Sequence, residues 1–92
     1  MVNKPVTKSE QLLDFSKQAI KFISKQDQEM QKRLREAIEE YPDGIEKLKG
    51  YKLFKKRVGD IRIIFNDKGK IVKVELVGNR GEIYRRVQRG NY

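Results

Sequence analysis

The side chains that can do chemistry in this sequence are mostly cations, and they are concentrated in its second half. Residues 51–92 carry a net charge of +8, whereas residues 1–50 carry only +1. The chain has no histidine and no cysteine, which removes the usual general base, the commonest metal ligand and any thiolate zinc site. This asymmetry favours a binder of polyanions or of an acidic protein over a basic surface that only aids solubility.

Two apolar runs, residues 57–65 and 71–77, must position much of this charge. Their branched and aromatic residues favour strands, and Asp67 and Gly69 between them favour a reversal, so the sequence predicts a β-hairpin. A second reversal is predicted at residues 78–81. It leads into residues 82–86, where strand alternation would put Ile83 and Tyr84 on opposite faces.

Alternation along these strands predicts which residues share a face. Residues 61, 63 and 65 fall on one face and Arg62 and Ile64 on the other, while residues 72, 74 and 76 share one face of the second strand. Arg62 is either a strand-edge or salt-bridged side chain or a functional one. We expect the charged face to be the working surface.

The N-terminal half has two possible interpretations. A capping box of Thr7 and Glu10 predicts one helix over about residues 9–24. Alternatively, residues 11–15 form a short strand with Leu13 and Phe15 pointing inward, and Ser16 caps a helix that begins at residue 17. Residues 1–10 are expected to be a flexible leader.

A second helix is predicted after Asp27, its N-cap, with an apolar stripe that ends at Tyr41 and a stop at residues 42–44. Residues 44–50 then connect helix to sheet. The expected architecture is α+β, with two N-terminal helices packed on one face of a small, mostly antiparallel sheet.

The length and composition bound the class of protein. Ninety-two residues make one domain, residues 1–92, with a small core. No apolar run is long enough for a membrane span, and the N-terminus lacks the apolar core of a signal peptide. We expect a soluble, cytoplasmic protein with no membrane partner.

Four segments together resemble the RelE/ParE superfamily of toxins from type II toxin–antitoxin systems, and in particular its RelE-like messenger-RNA-cleaving branch. They are Asp14-Phe15-Ser16-Lys17-Gln18-Ala19, Lys47-Leu48-Lys49-Gly50-Tyr51, Arg57-Val58-Gly59-Asp60-Ile61-Arg62-Ile63-Ile64-Phe65 and Asn79-Arg80-Gly81-Glu82-Ile83-Tyr84. The resemblance covers nearly the whole chain. It implies the order β-α-α-β-β-β with a short last strand or helix, and it favours the strand interpretation of residues 11–15.

The resemblance also implies an activity and the residues that perform it. RelE-like toxins are metal-independent endoribonucleases that need no cofactor. They cut messenger RNA in the ribosomal A site by attack of a ribose 2′-hydroxyl on the adjacent phosphate. Such a reaction needs a base, positive charge on the phosphate and a proton donor for the leaving oxygen. Arg62 and Arg80 match the phosphate-stabilising arginines, and Lys55 and Tyr84 match the lysine and tyrosine of the site.

The identity of the base stays open at this point. Tyr84 needs a lowered pKa to be the base, and otherwise it stacks on a nucleobase or packs in the core. Lys55 can take the proton if neighbouring cations lower its pKa, or it can hold the RNA backbone. Some members carry a further basic residue where this chain has Leu53. Arg57, Lys52 or Lys56 are possible substitutes.

The same resemblance implies partners. A cognate acidic antitoxin is expected to form a hetero-oligomer with the toxin, and messenger RNA and the ribosome are the expected targets. Plausible contacts for RNA or antitoxin are Lys52, Lys56, Arg57, Lys73, Arg85, Arg86 and Arg89. Two other hypotheses are a ParE-like gyrase inhibitor, which generally lacks the Arg62, Arg80 and Tyr84 set, and a basic RNA-binding module without catalysis.

Overall fold

The computed structural model of the chain describes residues 6–90. The elements in chain order are β1 (Leu12–Phe15), α1 (Lys17–Ser24), α2 (Gln28–Glu39), β2 (Glu46–Lys47), β3 (Phe54–Val58), β4 (Ile61–Asp67), β5 (Ile71–Asn79) and α3 (Arg80–Gln88). One sheet contains the strands in the order β1-β5-β4-β3-β2. β1 pairs with β5 in parallel and the other neighbours are antiparallel, which confirms the α+β class and the mostly antiparallel sheet.

The N-terminal half follows the strand interpretation. The backbone N–H of Ser16 donates to Val74 of β5 (3.0 Å), while its side chain accepts from the N–H of Ala19 (3.0 Å) and so caps α1. Glu10 has a φ of 64°, a left-handed conformation that a continuous helix does not contain. The single helix over residues 9–24 is therefore wrong.

Part of the expected flexible leader is attached to the fold. Residues 1–5 lie outside the described residues. Residues 7–10 form a turn in which Thr7 N–H donates to Gln11 (2.8 Å) and Lys8 N–H donates to the carbonyl of Tyr41 (3.1 Å). Thr7 is buried, and its hydroxyl accepts from the N–H of Gln11 (3.1 Å) rather than capping a helix.

Helices α1 and α2 cover one face of the sheet. Asp27 caps α2 by accepting from the N–H of Met30 (2.8 Å), and its stripe ends at the buried Tyr41, whose hydroxyl donates to Asp67 (2.9 Å). We call the buried residues on this face the first apolar cluster: Ala19, Leu34, Ala37, Ile38, Tyr41, Val58, Ile61, Ile63, Phe65, Val72, Val74 and Val77. The predicted helix stripe and the face of residues 61, 63 and 65 are both confirmed.

The apolar run 57–65 is two strands instead of one. The chain reverses at Gly59 and Asp60, so that Val58 pairs with Ile61 across a two-residue turn. Gly59 has a φ of 60°, which glycine adopts without steric cost. The predicted hairpin at residues 66–70 is present as well, and three consecutive strands form a meander.

The prediction that residues 72, 74 and 76 share a face is also wrong. Ile64 pairs with Leu76 but Phe65 pairs with Val74, so Glu75 is an extra residue on β5. Such a bulge shifts the alternation by one position. Val74 and Val77 therefore face the first apolar cluster, whereas Leu76 faces the opposite side.

The opposite side of the sheet is covered by α3. The chain turns back after β5, which continues to Asn79, but residues 82–86 are not a strand, because a helix begins at Arg80. We call the buried residues under this helix the second apolar cluster: Leu53, Ile64, Leu76, Ile83 and Val87. The expected charged face is thus partly apolar. Among residues 6–90, no helix is long and apolar enough to cross a membrane.

Candidate active site

Three predicted site residues from three different elements meet on the α3 side of the sheet. Lys55 of β3 donates from Nζ to the hydroxyl of Tyr84 on α3 at 3.3 Å. The same Nζ lies 5.4 Å from the centre of the Tyr84 ring. Arg62 of β4 is a second positive charge that acts on the Tyr84 hydroxyl. The phenol oxygen therefore lies near two cations, one of which hydrogen-bonds it directly.

These cations change the acidity of Tyr84. Burial acts to raise the pKa of the phenol, but the hydrogen bonds and positive charges of Lys55 and Arg62 outweigh it, so the pKa lies below its ordinary value. The ring packs against the second apolar cluster while the hydroxyl points to the cations. The Tyr84 ring thus packs in the core while its hydroxyl has a lowered pKa. Tyr84 can therefore be both a core aromatic and a site residue, the two interpretations that the sequence left open.

Arg62 is a preformed buried charge. Arg62 is only 6% exposed, and its Nη1 donates to the carbonyls of Gly59 (2.9 Å) and Ile61 (3.2 Å). Its Nε has no partner among the described residues. A buried donor without a partner costs about 1–3 kcal/mol.

Two further arginines lie at the same end of the sheet. Arg57 is exposed and stands directly opposite Arg62 in the β3–β4 register. Arg80 is exposed, begins α3 and donates its backbone N–H to the carbonyl of Asp60 (3.2 Å) in the β3–β4 turn. Because Arg80 lies four residues before Tyr84, both are on one side of the helix.

A groove of about 310 Å³ adjoins this cluster. It is lined by Lys55, Tyr84, Leu48, Lys49, Tyr51, Val87 and Gln88. Tyr51 and Gln88 are not among the residues predicted for the site. Gln88 follows Tyr84 by four residues, which places both on the same side of helix α3. It was missed because residues 82–86 were predicted as a strand, and the helical spacing was not considered.

Several predicted contacts lie elsewhere. Lys56 points to the helix side of the sheet, where Nζ donates to the carbonyl of Ala37 (3.0 Å) and to Glu40 (2.9 Å). It is therefore not placed to substitute for the base. Lys73 lies 3.4 Å from Glu75, toward the other end of β5. Lys52 is exposed just before β3.

The C-terminal arginines form a separate basic surface. Arg85, Arg86 and Arg89 line a cavity of about 290 Å³ together with Glu82, which lies 3.4 Å from Arg86. Helical periodicity turns them away from Tyr84. Two lysines of α1 that were not predicted as contacts line an adjoining cavity with Arg86: Lys21 and Lys25.

The arrangement of Lys55, Arg62, Tyr84, Arg57 and Arg80 suits a reaction at a phosphate. Guanidinium groups present planar donors to phosphate oxygens and keep their charge. A phenol with a lowered pKa can accept a proton, and a lysine ammonium can donate one. Leu53, which stands where the resemblance implied a further basic residue in some members, is buried in the second apolar cluster.

No family model matches this sequence, and no curated protein matches it. Solved structures do. A chain of the RelB–RelE antitoxin–toxin complex from Methanococcus jannaschii is 27% identical with a TM-score of 0.63, over 77% of this chain and 94% of that one. A chain of the archaeal RelE–RelB complex from Pyrococcus horikoshii is 27% identical with a TM-score of 0.58, over 75% and 93%. The chain therefore has the fold of RelE-like toxins and is similar to chains of two RelB–RelE complexes.

Proposed function

We propose that the protein is a toxin that cleaves messenger RNA on the ribosome without a metal ion, by attack of a ribose 2′-hydroxyl on the neighbouring phosphate. The observation that carries this proposal is the Tyr84 hydroxyl, which lies 3.3 Å from Lys55 Nζ and has a lowered pKa. Exposed Arg57 and Arg80 beside it provide charge for the phosphate.

Tyr84 is the base in this proposal. Lys55 donates a hydrogen bond to Tyr84, and a protonated amine has no lone pair with which to accept a proton. Lys55 and Arg62 favour the phenolate form of Tyr84. The phenolate takes the proton of the 2′-hydroxyl, and the 2′-oxygen forms a bond to phosphorus.

The bond from phosphorus to the 5′-oxygen breaks as the new bond forms. Lys55 supplies a proton to the departing 5′-oxygen, which leaves a 2′,3′-cyclic phosphate on one fragment and a 5′-hydroxyl on the other. Arg80, Arg57 and Arg62 stabilise the extra negative charge on the phosphate oxygens in the transition state. Each of these steps uses a side chain of this protein.

An acidic antitoxin is the proposed protein partner. The two similar structures are complexes of a RelE toxin with a RelB antitoxin, and this chain has a net charge of +9. A negatively charged partner that covers the α3 side would neutralise the arginines there and block access to Tyr84.

The test of the nuclease is induced expression in a bacterial host, with primer extension on several transcripts. We expect cuts within translated codons. Tyr84→Phe, which removes only the hydroxyl, should lower the cleavage rate by about 10²–10⁴-fold, the usual contribution of a general base. Arg80→Ala should lower it by about 10²-fold or more.

Two control variants separate these effects from simple loss of charge or of a hydroxyl. Tyr41→Phe removes a tyrosine hydroxyl from the other side of the sheet, and Arg33→Ala removes an exposed arginine of α2; both should leave cleavage unchanged. Persistent cuts in Tyr84→Phe would exclude Tyr84 as the base. Intact messages with DNA damage would instead favour a gyrase inhibitor, and RNA binding without cuts would favour a binding module.

A further inference from the structure

Tyr51 is held rigidly at the rim of the groove beside Tyr84. Its backbone N–H donates to the carbonyl of Leu48 (3.0 Å), its carbonyl accepts from Lys47 Nζ (3.0 Å), and the N–H of Leu48 donates to Leu53 (2.8 Å). Its half-buried side chain packs against the second apolar cluster. The aromatic ring is thus positioned before any ligand arrives.

The groove between Tyr51 and Tyr84 has the size and lining for a flat heterocycle. Its volume of about 310 Å³ is at the small end of ligand sites, which span about 300–1,000 Å³. Leu48 and Val87 line it with apolar surface, while Gln88 carries an amide that both donates and accepts. These features suit one nucleobase: a ring to stack against and a polar group for its edge.

The charges around the groove select a nucleic acid over an uncharged heterocycle. Lys49 and Lys55 line it directly, and two more exposed lysines lie nearby in the chain: Lys47 at the end of β2 and Lys52 just before β3. Such a group of cations attracts a polyanion. The base and the phosphate that follows it in the chain can therefore be held at adjoining places.

We propose that the groove is a nucleobase subsite in which the base of the attacking nucleotide stacks on Tyr51 and hydrogen-bonds to Gln88. The assignment of the bound base to the attacking nucleotide rests on the proposed nuclease function. In that reaction, this base and the 2′-hydroxyl that Tyr84 deprotonates belong to the same nucleotide. The groove shares Tyr84 and Lys55 with the catalytic cluster, so the two sites are contiguous. Tyr51 and Gln88 then determine which base precedes the cut.

A binding measurement tests the subsite without relying on cleavage. The probe is a short single-stranded RNA with 2-aminopurine at the subsite position and a 2′-deoxyribose there to prevent attack. Stacking on Tyr51 should quench the fluorescence of the probe. Tyr51→Leu keeps apolar bulk but lacks an aromatic face, and we expect it to bind about 5- to 150-fold more weakly, the range for one base–aromatic stack. Tyr51→Phe should bind within about twofold of the natural protein.

Gln88→Ala is the second variant, because its exposed position leaves the core intact even if Tyr51→Leu fails to fold. Probes with each of the four bases should bind to Gln88→Ala with less discrimination than to the natural protein. Equal affinity and equal base preference in Tyr51→Leu and Gln88→Ala would overturn the subsite. If Tyr51→Leu does not fold, unchanged base preference in Gln88→Ala overturns it.

The two proposals fail in different ways. Cleavage by the natural protein with an unaltered cut-site distribution in Tyr51→Leu or Gln88→Ala would remove the subsite and leave the nuclease. Absence of cleavage, with quenching that depends on Tyr51, would remove the nuclease and support the groove as a base-binding site.

Discussion

Replacing Gly78 by alanine should displace helix α3 from the sheet. Gly78 lies in β5 beneath this helix, and a Cβ added to it would be 2.8 Å from Cδ1 and 3.1 Å from Cγ1 of Ile83. Ile83 is fully buried in the second apolar cluster, so the methyl group cannot turn into solvent. Either the Ile83 side chain or helix α3 must shift, and we expect the shift to displace Tyr84, the next residue.

The size of the effect follows from two opposing terms. Overpacking a core costs about 1–3 kcal/mol. Gly78 does not have a positive φ, so alanine fits its backbone and contributes about 0.4–1 kcal/mol by restricting the unfolded chain. We expect a net loss of about 1–2 kcal/mol in the free energy of unfolding. For a domain of this size, that lowers the Tm by roughly 4–15 °C.

A second substitution identifies the cause. Ile83→Val removes the Cδ1 methyl that Gly78→Ala would meet, at a cost of about 0.5–1.5 kcal/mol when made alone. The double variant should be about as stable as Ile83→Val, because the closest contact no longer exists. The coupling between the two sites is then favourable by about 1 kcal/mol or more.

The assay is denaturant unfolding of the four proteins, followed by titration of Tyr84. In Gly78→Ala the separation of Tyr84 from Lys55 should raise the pKa of the phenol, and the double variant should restore it. If the losses in Gly78→Ala and Ile83→Val simply add in the double variant, the steric argument is refuted. An unchanged Tm in Gly78→Ala would refute it as well.

Three other predictions concern single charged side chains. Lys55→Met removes a hydrogen bond and a charge that lower the pKa of Tyr84, while burial still acts to raise it, so the pKa should rise; a spectrophotometric titration checks this. Cleavage should slow because the proposed proton donor is lost, and the rising limb of the remaining pH profile should move to higher pH. Arg62→Met should abolish cleavage yet raise the free energy of unfolding by about 1 kcal/mol in denaturant titrations, because a buried cation with an unpartnered Nε is removed; a loss of stability would contradict this. Burial acts to raise the pKa of Asp67, but hydrogen bonds from Gly69, Tyr41 and Gln11 outweigh the effect of burial, so the pKa lies below its ordinary value. Its stabilisation is therefore present above the unfolded pKa of about 3.9 and lost as the pH falls through the lower folded value. Asp67→Asn should flatten the fall in Tm with pH below about pH 4.

Local signals in the sequence predicted much of the helical half. Ser16 and Asp27 cap their helices as their residue types suggest. The interpretation of residues 11–15 needed more than local pattern, because a short apolar run suits a helix or a strand equally. Pairing of β1 with β5 across the fold decides it, and such a contact is not encoded in the run itself.

The sheet was predicted less completely because single residues change its geometry. Gly59 divides an apolar run into two strands, and Glu75 reverses the faces of the residues after it. Periodicity shows that residues alternate but gives no position for a bulge. Leu76 and Val77 were therefore assigned to the wrong faces.

The candidate site depends on this same geometry. Lys55, Arg62 and Tyr84 were named from the resemblance and are brought together, whereas Lys56 is turned away because strand neighbours alternate. Tyr51 was missed, since a tyrosine in a turn has no recognisable spacing to Tyr84. The groove exists only after β3 and α3 have packed.

Arg57 lies directly opposite Arg62 in the β3–β4 register, and this pairing makes the stability of the fold depend on whether an anion is bound there. Like charges directly opposite each other in a sheet destabilise it, and a bound anion that bridges them removes the repulsion. A ligand that binds the folded chain alone also raises its stability by mass action. The unbound protein should then have the lowest free energy of unfolding and the fastest proteolysis. Its lifetime in a cell should lengthen when RNA or an acidic partner binds this end of the sheet.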